Sequence, residues 1–281
     1  MLKRILKLIF LLFILIIIVK AFIVDAFKIP SGSMRDTLME GDFILVNKIA
    51  YNISTPYQIP FWGKRIERTD LFSLGKPERN DVIAFEIPAD LINPAANNYS
   101  IMVKRIIGLP GDTLVIKDKE VFINGEKLRN PSYMHINLSE TPITNVDEKL
   151  FPYNKKWTID NYGPIIIPKK NMTVELNPKT ISLWENAINI DFGEKAISVE
   201  GTVINFRGRP LKEYTFQNDY YFVLGDNRSN SLDSRYFGYI PLKWIIGKAF
   251  MIYWSQMPTE INGISDYFNS VRFSRVMKGI N

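Results

Sequence analysis

Every residue from Leu8 to Val19 is apolar, and the window from Ile5 to Val24 is broken only by Lys7 and Lys20. A helix rises about 1.5 Å per residue, so this window spans roughly 30 Å, the thickness of the hydrocarbon layer of a bilayer. Both lysines lie near the ends of the window, where a long side chain reaches the headgroups. The pattern predicts a transmembrane helix within residues 1–24. A cleaved leader would end in small residues of A-x-A type. Here the run continues as Lys20-Ala21-Phe22-Ile23-Val24-Asp25, so an uncleaved anchor is expected. Lys3, Arg4 and Lys7 place the N-terminus in the cytoplasm by the positive-inside bias, and Lys20, Lys28 and Arg35 reduce the asymmetry.

After residue 25 the period changes. Short β-branched and aromatic runs, such as Asp42–Val46, Asp81–Phe85 and Thr113–Ile116, alternate with turn residues, the signature of antiparallel β structure. Asn124-Gly125, between Val121–Ile123 and Glu126–Leu128, predicts a hairpin with a type I′ turn. Val203–Leu211 reads as a second strand-turn unit. One helix stands out, with Asn177 as its cap, Pro178 at its first position and Ile181, Trp184 and Ile188 on one face. The stretch 130–215 is richer in Asn, Lys and Pro than its surroundings. The expected architecture is mainly β: an anchor at 1–24, a catalytic β domain at 25–129 and 216–260, an inserted β subdomain at 130–215 and a tail at 261–281. Within that tail, Phe273–Ile280 is short for an amphipathic surface helix, the element its pattern suggests.

Composition narrows the chemistry. The 281 residues contain no Cys and one His, His135, which excludes disulfides, thiolate nucleophiles and multi-histidine metal sites. His135 is expected in a loop leading the insertion. The net charge of +6 is concentrated in the first 24 residues, and the remainder is near neutral. No basic patch or reader motif for nucleic acid is present, so none is expected as a partner.

Three segments carry candidate chemistry. Ile29-Pro30-Ser31-Gly32-Ser33-Met34 follows the anchor closely, and Pro30 and Gly32 punctuate a turn on which a small hydroxyl stands exposed. Alone, it fits an ordinary loop as well, because a serine needs a base to act as a nucleophile. Within Ile101–Asp112, a strand puts Met102, Lys104 and Ile106 on one face. An amine held among such neighbours is desolvated, and its pKa falls from about 10.4 toward about 8. Neutral lysine then serves as a base, although a strand-edge lysine reaching to water fits the local sequence too. Gly225–Gly238 is dense in Asp, Arg, Asn and Ser, which suits either a solvated loop or one held by bidentate ion pairs.

Taken together, in this order and behind an anchor, these segments resemble the bacterial type I signal peptidases, membrane-bound Ser/Lys proteases that remove signal peptides. The resemblance covers Phe27–Lys48, Arg79–Phe85, Ile101–Asp112 and Gly225–Pro241, and little of 130–215. It implies Ser33 as nucleophile, Lys104 as general base and Ser31 as an oxyanion-hole donor. Ser231 would hydrogen-bond and orient Lys104, Asp226 would pair with Arg105, and Asp233 with Arg235. Phe27, Ile29, Met34, Leu38, Ile44 and Val103 match positions that line shallow pockets for small residues at −1 and −3 of the substrate. Asp36 stands where the family commonly has Pro, and Asn80 where it commonly has Gly.

The resemblance further implies no metal and no cofactor. Its partners would be signal-peptide-bearing preproteins and membrane lipid. It places the chain in the bacterial plasma membrane as a single-pass protein with an extracytoplasmic catalytic domain. Tyr57, Phe61, Trp62, Lys64 and Arg65 suit a membrane interface or an ordinary aromatic loop. Two rival readings are a non-catalytic, membrane-anchored β assembly module and a self-cleaving Ser/Lys repressor. The first leaves the ordered Ser, Lys and Asp/Arg set unexplained, and the second requires a soluble DNA-binding domain in place of the anchor.

Overall fold

A computed structural model describes the chain apart from residues 60–63, 67, 93–94, 97, 131–140, 144, 154, 261–262 and 281. His135, Phe61 and Trp62 lie outside the described residues. Helix α1, Leu2–Phe22, is long and apolar enough to cross a membrane, and Ala21 alone within it is buried. It runs directly into β1 (Val24–Lys28), with Ile23 as the joint.

The main sheet is antiparallel throughout. In chain order its long strands are β1, β2 (Asp42–Asn47), β3 (Val82–Pro88), β4 (Tyr99–Gly108), β5 (Tyr220–Leu224) and β6 (Ile245–Ser255). They lie side by side as β1-β2-β6-β3-β4-β5, with Ile240–Pro241 completing the edge beside β5. Val82, Ile83, Ala84 and Phe85 are all buried, because this strand has a core on each of its faces. One face packs Ile29, Met34, Leu38, Ile44, Val82 and Ala84 together; the other packs Ile83, Phe85, Ile106, Tyr221 and Val223.

A second sheet pairs Thr113–Lys117 with Glu120–Ile123 on one side and Tyr162–Ile166 on the other. It shares a core with α2 (Ile181–Phe192). The boundary expected at residue 130 therefore falls inside a sheet, since Ile116 is the register partner of Tyr162. Composition could not reveal this, because the pairing is long-range. The Asn124-Gly125 turn forms as expected, with φ of 54° and 87°, and Arg207-Gly208 forms its counterpart with φ of 48° and 76°.

Two local expectations need correction. Helix α2 begins at Ile181, with Thr180 as its N-cap; Asn177 instead closes the preceding turn, its Oδ1 accepting from the N–H groups of Lys179 and Thr180. The predicted face holds, with Ile181, Trp184 and Ile188 buried. The tail carries a helix at Ile264–Ser270, whereas Phe273–Arg275 is a single 3₁₀ turn and Lys278–Gly279 pairs with β6. Ile280 joins the main core, and Arg275 hydrogen-bonds the Asp42 carboxylate and the Thr37 carbonyl. The tail is thus built into the sheet that carries the site.

Candidate active site

Ser33 sits in the 3₁₀ turn Gly32–Met34, which follows β1 and the extended residues Ile29–Ser31. Met34, 1% exposed, fixes the turn in the core, and its carbonyl accepts from the N–H groups of Thr37 and Leu38. Asp36 follows at φ 84°. Proline is locked near −65°, so the proline common in the family at this position would not fit this turn. Ser31 is exposed with extended backbone, and its hydroxyl makes no capping bond to the turn.

Lys104 lies on β4, opposite Ile83 on β3. Its Nζ is 2.7 Å from Ser33 Oγ and donates to the Val103 carbonyl at 3.1 Å. Lys104 is 2% exposed. Burial pushes its amine down to about 8, against the opposing pull of the Asp233 and Asp226 charges. The shift expected from sequence is therefore present and has the expected cause. Among the described residues no carboxylate forms an ion pair with Lys104, so nothing holds it charged at short range.

The loop after β5 brings the third segment to this pair. Asp226 receives two hydrogen bonds from Arg105, at 2.9 and 2.8 Å, with both side chains buried. Asp233 receives two from Arg235, also at 2.9 and 2.8 Å. Burial opposes ionisation of Asp233, but the Arg235 charge and the Gly225 N–H outweigh it and hold the carboxyl below the ordinary range. Asn227 completes the connection: its N–H donates to the Ser33 carbonyl at 3.1 Å and its Nδ2 to the Gly32 carbonyl at 3.0 Å. Gly225 is required by space, because a Cβ there would stand 2.5 Å from the Ser33 carbonyl oxygen and 2.2 Å from Ser231 Oγ.

Ser231 reaches the site in a different way from the one expected. Its Oγ is buried beside Gly225 and close enough to the Asp233 carboxylate to favour its ionised form, and among the described residues no hydrogen bond joins it to Lys104. The hydrophobic set lies at two depths. Met34, Leu38 and Ile44 are at most 1% exposed and Ile29 is 4%, so they are core side chains beneath the surface. Only Phe27 and Val103 keep partial exposure against the same cluster. A cleft of about 760 Å³, lined in part by Arg65, Glu86, Asn189, Lys243 and Trp244, includes neither Ser33 nor Lys104. Tyr57 is buried, and its hydroxyl donates to Asp25 at 2.8 Å, so it is not an interfacial aromatic.

Sequence reading missed Thr37. Its hydroxyl donates to Asp226 and accepts from Arg105 at 3.2 Å, tying the Ser33 segment to the buried ion pair. Its only sequence signal was position, a few residues after Ser33.

Asn80, just before β3, has φ 73°, and its carbonyl accepts from Arg105 at 2.7 Å. Asn tolerates this left-handed conformation better than most residues, and glycine adopts it freely. Its Oδ1 is buried without a partner. Asn80→Gly removes both penalties, and a rise in stability of about 1 kcal/mol is expected, read as a higher denaturation midpoint. A lower midpoint would show that the side chain contributes packing that outweighs them.

A buried amine 2.7 Å from a half-buried turn hydroxyl, on an antiparallel β domain behind a membrane-length helix, is an arrangement in which a lysine can stand to a serine as a base. The comparisons give the family. The sequence matches the family "Signal peptidase, peptidase S26" over residues 2–254, and the chain belongs to it. It is 32% identical over 274 residues to a signal peptidase I of Buchnera aphidicola subsp. Schizaphis graminum, covering 94% of this chain and 77% of that one. It is 31% identical over 261 residues to the signal peptidase I of Aquifex aeolicus, covering 90% and 84%. A crystal structure of a signal peptidase I from Enterococcus faecalis V583 shares 27% identity, covers 63% of this chain and 98% of that one, and has a TM-score of 0.31. The protein is accordingly a serine endopeptidase with an N-terminal helix suited to membrane anchoring.

Proposed function

We propose that the protein removes N-terminal signal peptides from exported preproteins, with Ser33 as nucleophile and Lys104 as general base. The observation that carries this reading is the 2.7 Å contact between Lys104 Nζ and Ser33 Oγ in a site where the amine is buried. Neutral Lys104 takes the Ser33 proton as Oγ attacks the scissile carbonyl. The resulting oxyanion is stabilised by the Ser31 hydroxyl and a backbone N–H. The lysinium then protonates the leaving amine, which frees the mature protein and leaves the signal peptide as an acyl-enzyme. Lys104 next takes a proton from water as the water oxygen attacks the ester carbonyl, and the lysinium returns that proton to Ser33 Oγ as the C–O bond breaks and the signal peptide leaves as its carboxylic acid. Asp226–Arg105 and Asp233–Arg235 keep the surrounding loop in place. Ser231 packs beside Gly225, which itself lies against the Ser33 carbonyl.

The topology that suits this reaction has the N-terminus in the cytoplasm, α1 across the plasma membrane and the β domain outside, where signal peptides emerge. The domain division consistent with strand pairing assigns residues from about 109 to 219 to the second β unit and returns the tail to the catalytic sheet. Membrane lipid is the expected environment of α1. The non-catalytic alternative fits poorly with membership of a peptidase family. Purified protein in detergent, incubated with a synthetic signal-peptide substrate, tests the reading directly: cleavage by the wild type and none by Ser33→Ala supports it, and no cleavage by either overturns it.

Substrate choice follows from the floor of the site. An extended substrate sends its −1 and −3 side chains to one face. Ile29, Met34, Leu38 and Ile44 are packed in the core beside the Ser33 turn, with Phe27 and Val103 partly exposed against it, which supports shallow depressions there rather than deep pockets. Small residues, typically Ala, are therefore required at −1 and −3, and −2 tolerates bulk. In a peptide series varied one position at a time, Phe at −1 is expected to lower kcat/KM on the order of 100-fold. Equal turnover of Ala and Phe at −1 would refute the depression, though not the dyad.

A further inference from the structure

The joint between α1 and β1 is closed by side chains that play no part in the chemistry above. A helix end leaves its last carbonyls without partners. Here Ile23 N–H donates to the Val19 carbonyl at 2.8 Å, and the next two carbonyls are taken by one side chain: Lys48 Nζ donates to Lys20 O at 3.2 Å and Ala21 O at 2.6 Å. A cation at a helix C-terminus also meets the negative end of the helix dipole. Lys48 directly follows β2, and its own N–H donates to the Ile23 carbonyl at 2.8 Å. Its amine is 3.9 Å from Asp25 and 5.0 Å from the Tyr57 ring centre, and the Tyr57 hydroxyl holds Asp25 at 2.8 Å. The Lys48 and Asp25 side chains are 9% and 5% exposed, and Tyr57 is 3%. This is a buried, mutually satisfied cluster where a flexible tether would need none.

The paired strands give the cluster its reach. β1 and β2 run in register from Val24↔Asn47 at the anchor end to Lys28↔Phe43 at the site end, four steps or roughly 14 Å at about 3.4 Å per residue. One end carries Lys48 on the helix terminus. The other carries the Asp42 carbonyl bonded to Ile29 N–H at 2.8 Å, immediately before Ser31–Ser33. A side chain that fixes α1 to this ladder also fixes the nucleophile relative to the bilayer.

We infer that Lys48, with Asp25 and Tyr57, is a positioning cluster that locks the anchor helix to the catalytic sheet and so sets how far from the membrane a bound preprotein is cut. This rests on the proposed function, with the added premise that the signal peptide, itself an apolar segment, lies in the membrane when it is cut. A soluble peptide has no fixed height above a membrane and does not sense the lock, whereas a preprotein in a bilayer does. A purely stabilising role would change both substrates alike.

The test uses full-length protein in proteoliposomes and a preprotein with two Ala-x-Ala sites, the second three residues farther from its apolar segment. The masses of the products give the ratio of the two cuts. Lys48→Met is expected to change that ratio at least fivefold, with kcat/KM on a soluble peptide in detergent within twofold of wild type; Lys48→Arg, which can still reach the helix end, should restore the wild-type ratio. A wild-type ratio in Lys48→Met would overturn the inference. A second measurement reads the joint without using activity. The chain has no cysteine, so Leu12→Cys with Phe250→Cys carries two spin labels, one on exposed α1 and one on β6. A single narrow distance in proteoliposomes supports the lock, even if Lys48→Met does not fold. A broad distribution overturns it. Loss of all cleavage by the wild type, or cleavage that survives Ser33→Ala, would instead defeat the functional reading.

Discussion

Ser33→Ala, Lys104→Ala and Lys104→Arg are each expected to reduce cleavage of a signal-peptide substrate on the order of 1000-fold or more, with the fold retained. Nucleophile and base act as one unit, so removing either is expected to lower kcat about as much as removing both. Arginine fails because its guanidinium stays protonated and has no lone pair to accept the Ser33 proton. Near-normal turnover in any of the three would sink the dyad.

The pH profile follows from the same group. Burial holds Lys104 down at about 8, so the neutral amine is the minor form below that pH. Log kcat/KM should rise with a slope of about one as pH increases to 8 and then level off. Stability carries the complementary signature. Unfolded Lys104 titrates near 10.5 and the folded side chain near 8, so between these values the unfolded chain binds more protons and stability rises with pH. Below about pH 8 the group is charged in both states, and its full burial penalty of about 3 kcal/mol is present. Lys104→Met removes the charge while keeping the length, so at pH 7 it should be inactive yet at least as stable as wild type. A lower Tm for Lys104→Met would show that packing or hydrogen bonding of the amine outweighs its desolvation.

The second large effect concerns Arg105 and Asp226. Both are at most 1% exposed, and each leaves an unpaired charge if the other is lost. Breaking such a pair costs about 3–5 kcal/mol. Arg105→Met or Asp226→Leu should therefore lower Tm on the order of 10 °C. The double variant should lose less than either single one, because no uncompensated charge remains. Activity should fall as well. The Thr37 hydroxyl bonds both partners, and Asn227, next to Asp226, holds the Gly32 and Ser33 carbonyls. Thermal unfolding of the two singles and the double gives the coupling directly, and additive losses would show that the two charges do not depend on each other.

Local signals were read well where one short segment is enough to produce the structure. An apolar run long enough for a bilayer makes α1, since no other conformation satisfies its backbone in hydrocarbon. Asn124-Gly125 makes its turn because few other residues adopt positive φ at both positions. The low pKa of Lys104 followed from its apolar neighbours on one strand face, with burial as the physical reason for the shift, and the Asp/Arg pairs followed from the resemblance to the signal peptidases. The helix start at Ile181 was missed because Thr180, Pro178 and Asn177 offer competing caps within four positions.

The chain alone determined the membrane-length apolar helix and the β class, because each depends on side-chain type at short spacing, while the residues of the proposed chemistry came from the resemblance of separate segments to one family. Tertiary structure decided the rest. It put Ser231 beside Gly225 without a bond to Lys104, and drew Met34, Leu38 and Ile44 fully into the core. It also recruited Thr37, Asn227 and Arg275 to hold the nucleophile segment. Those outcomes depend on partners 68 to 238 positions away along the chain, as in Arg105–Thr37 and Arg275–Thr37. Hydrogen-bond geometry and burial at such separations are fixed only when the strands pair, and no local pattern of polar and apolar residues encodes them.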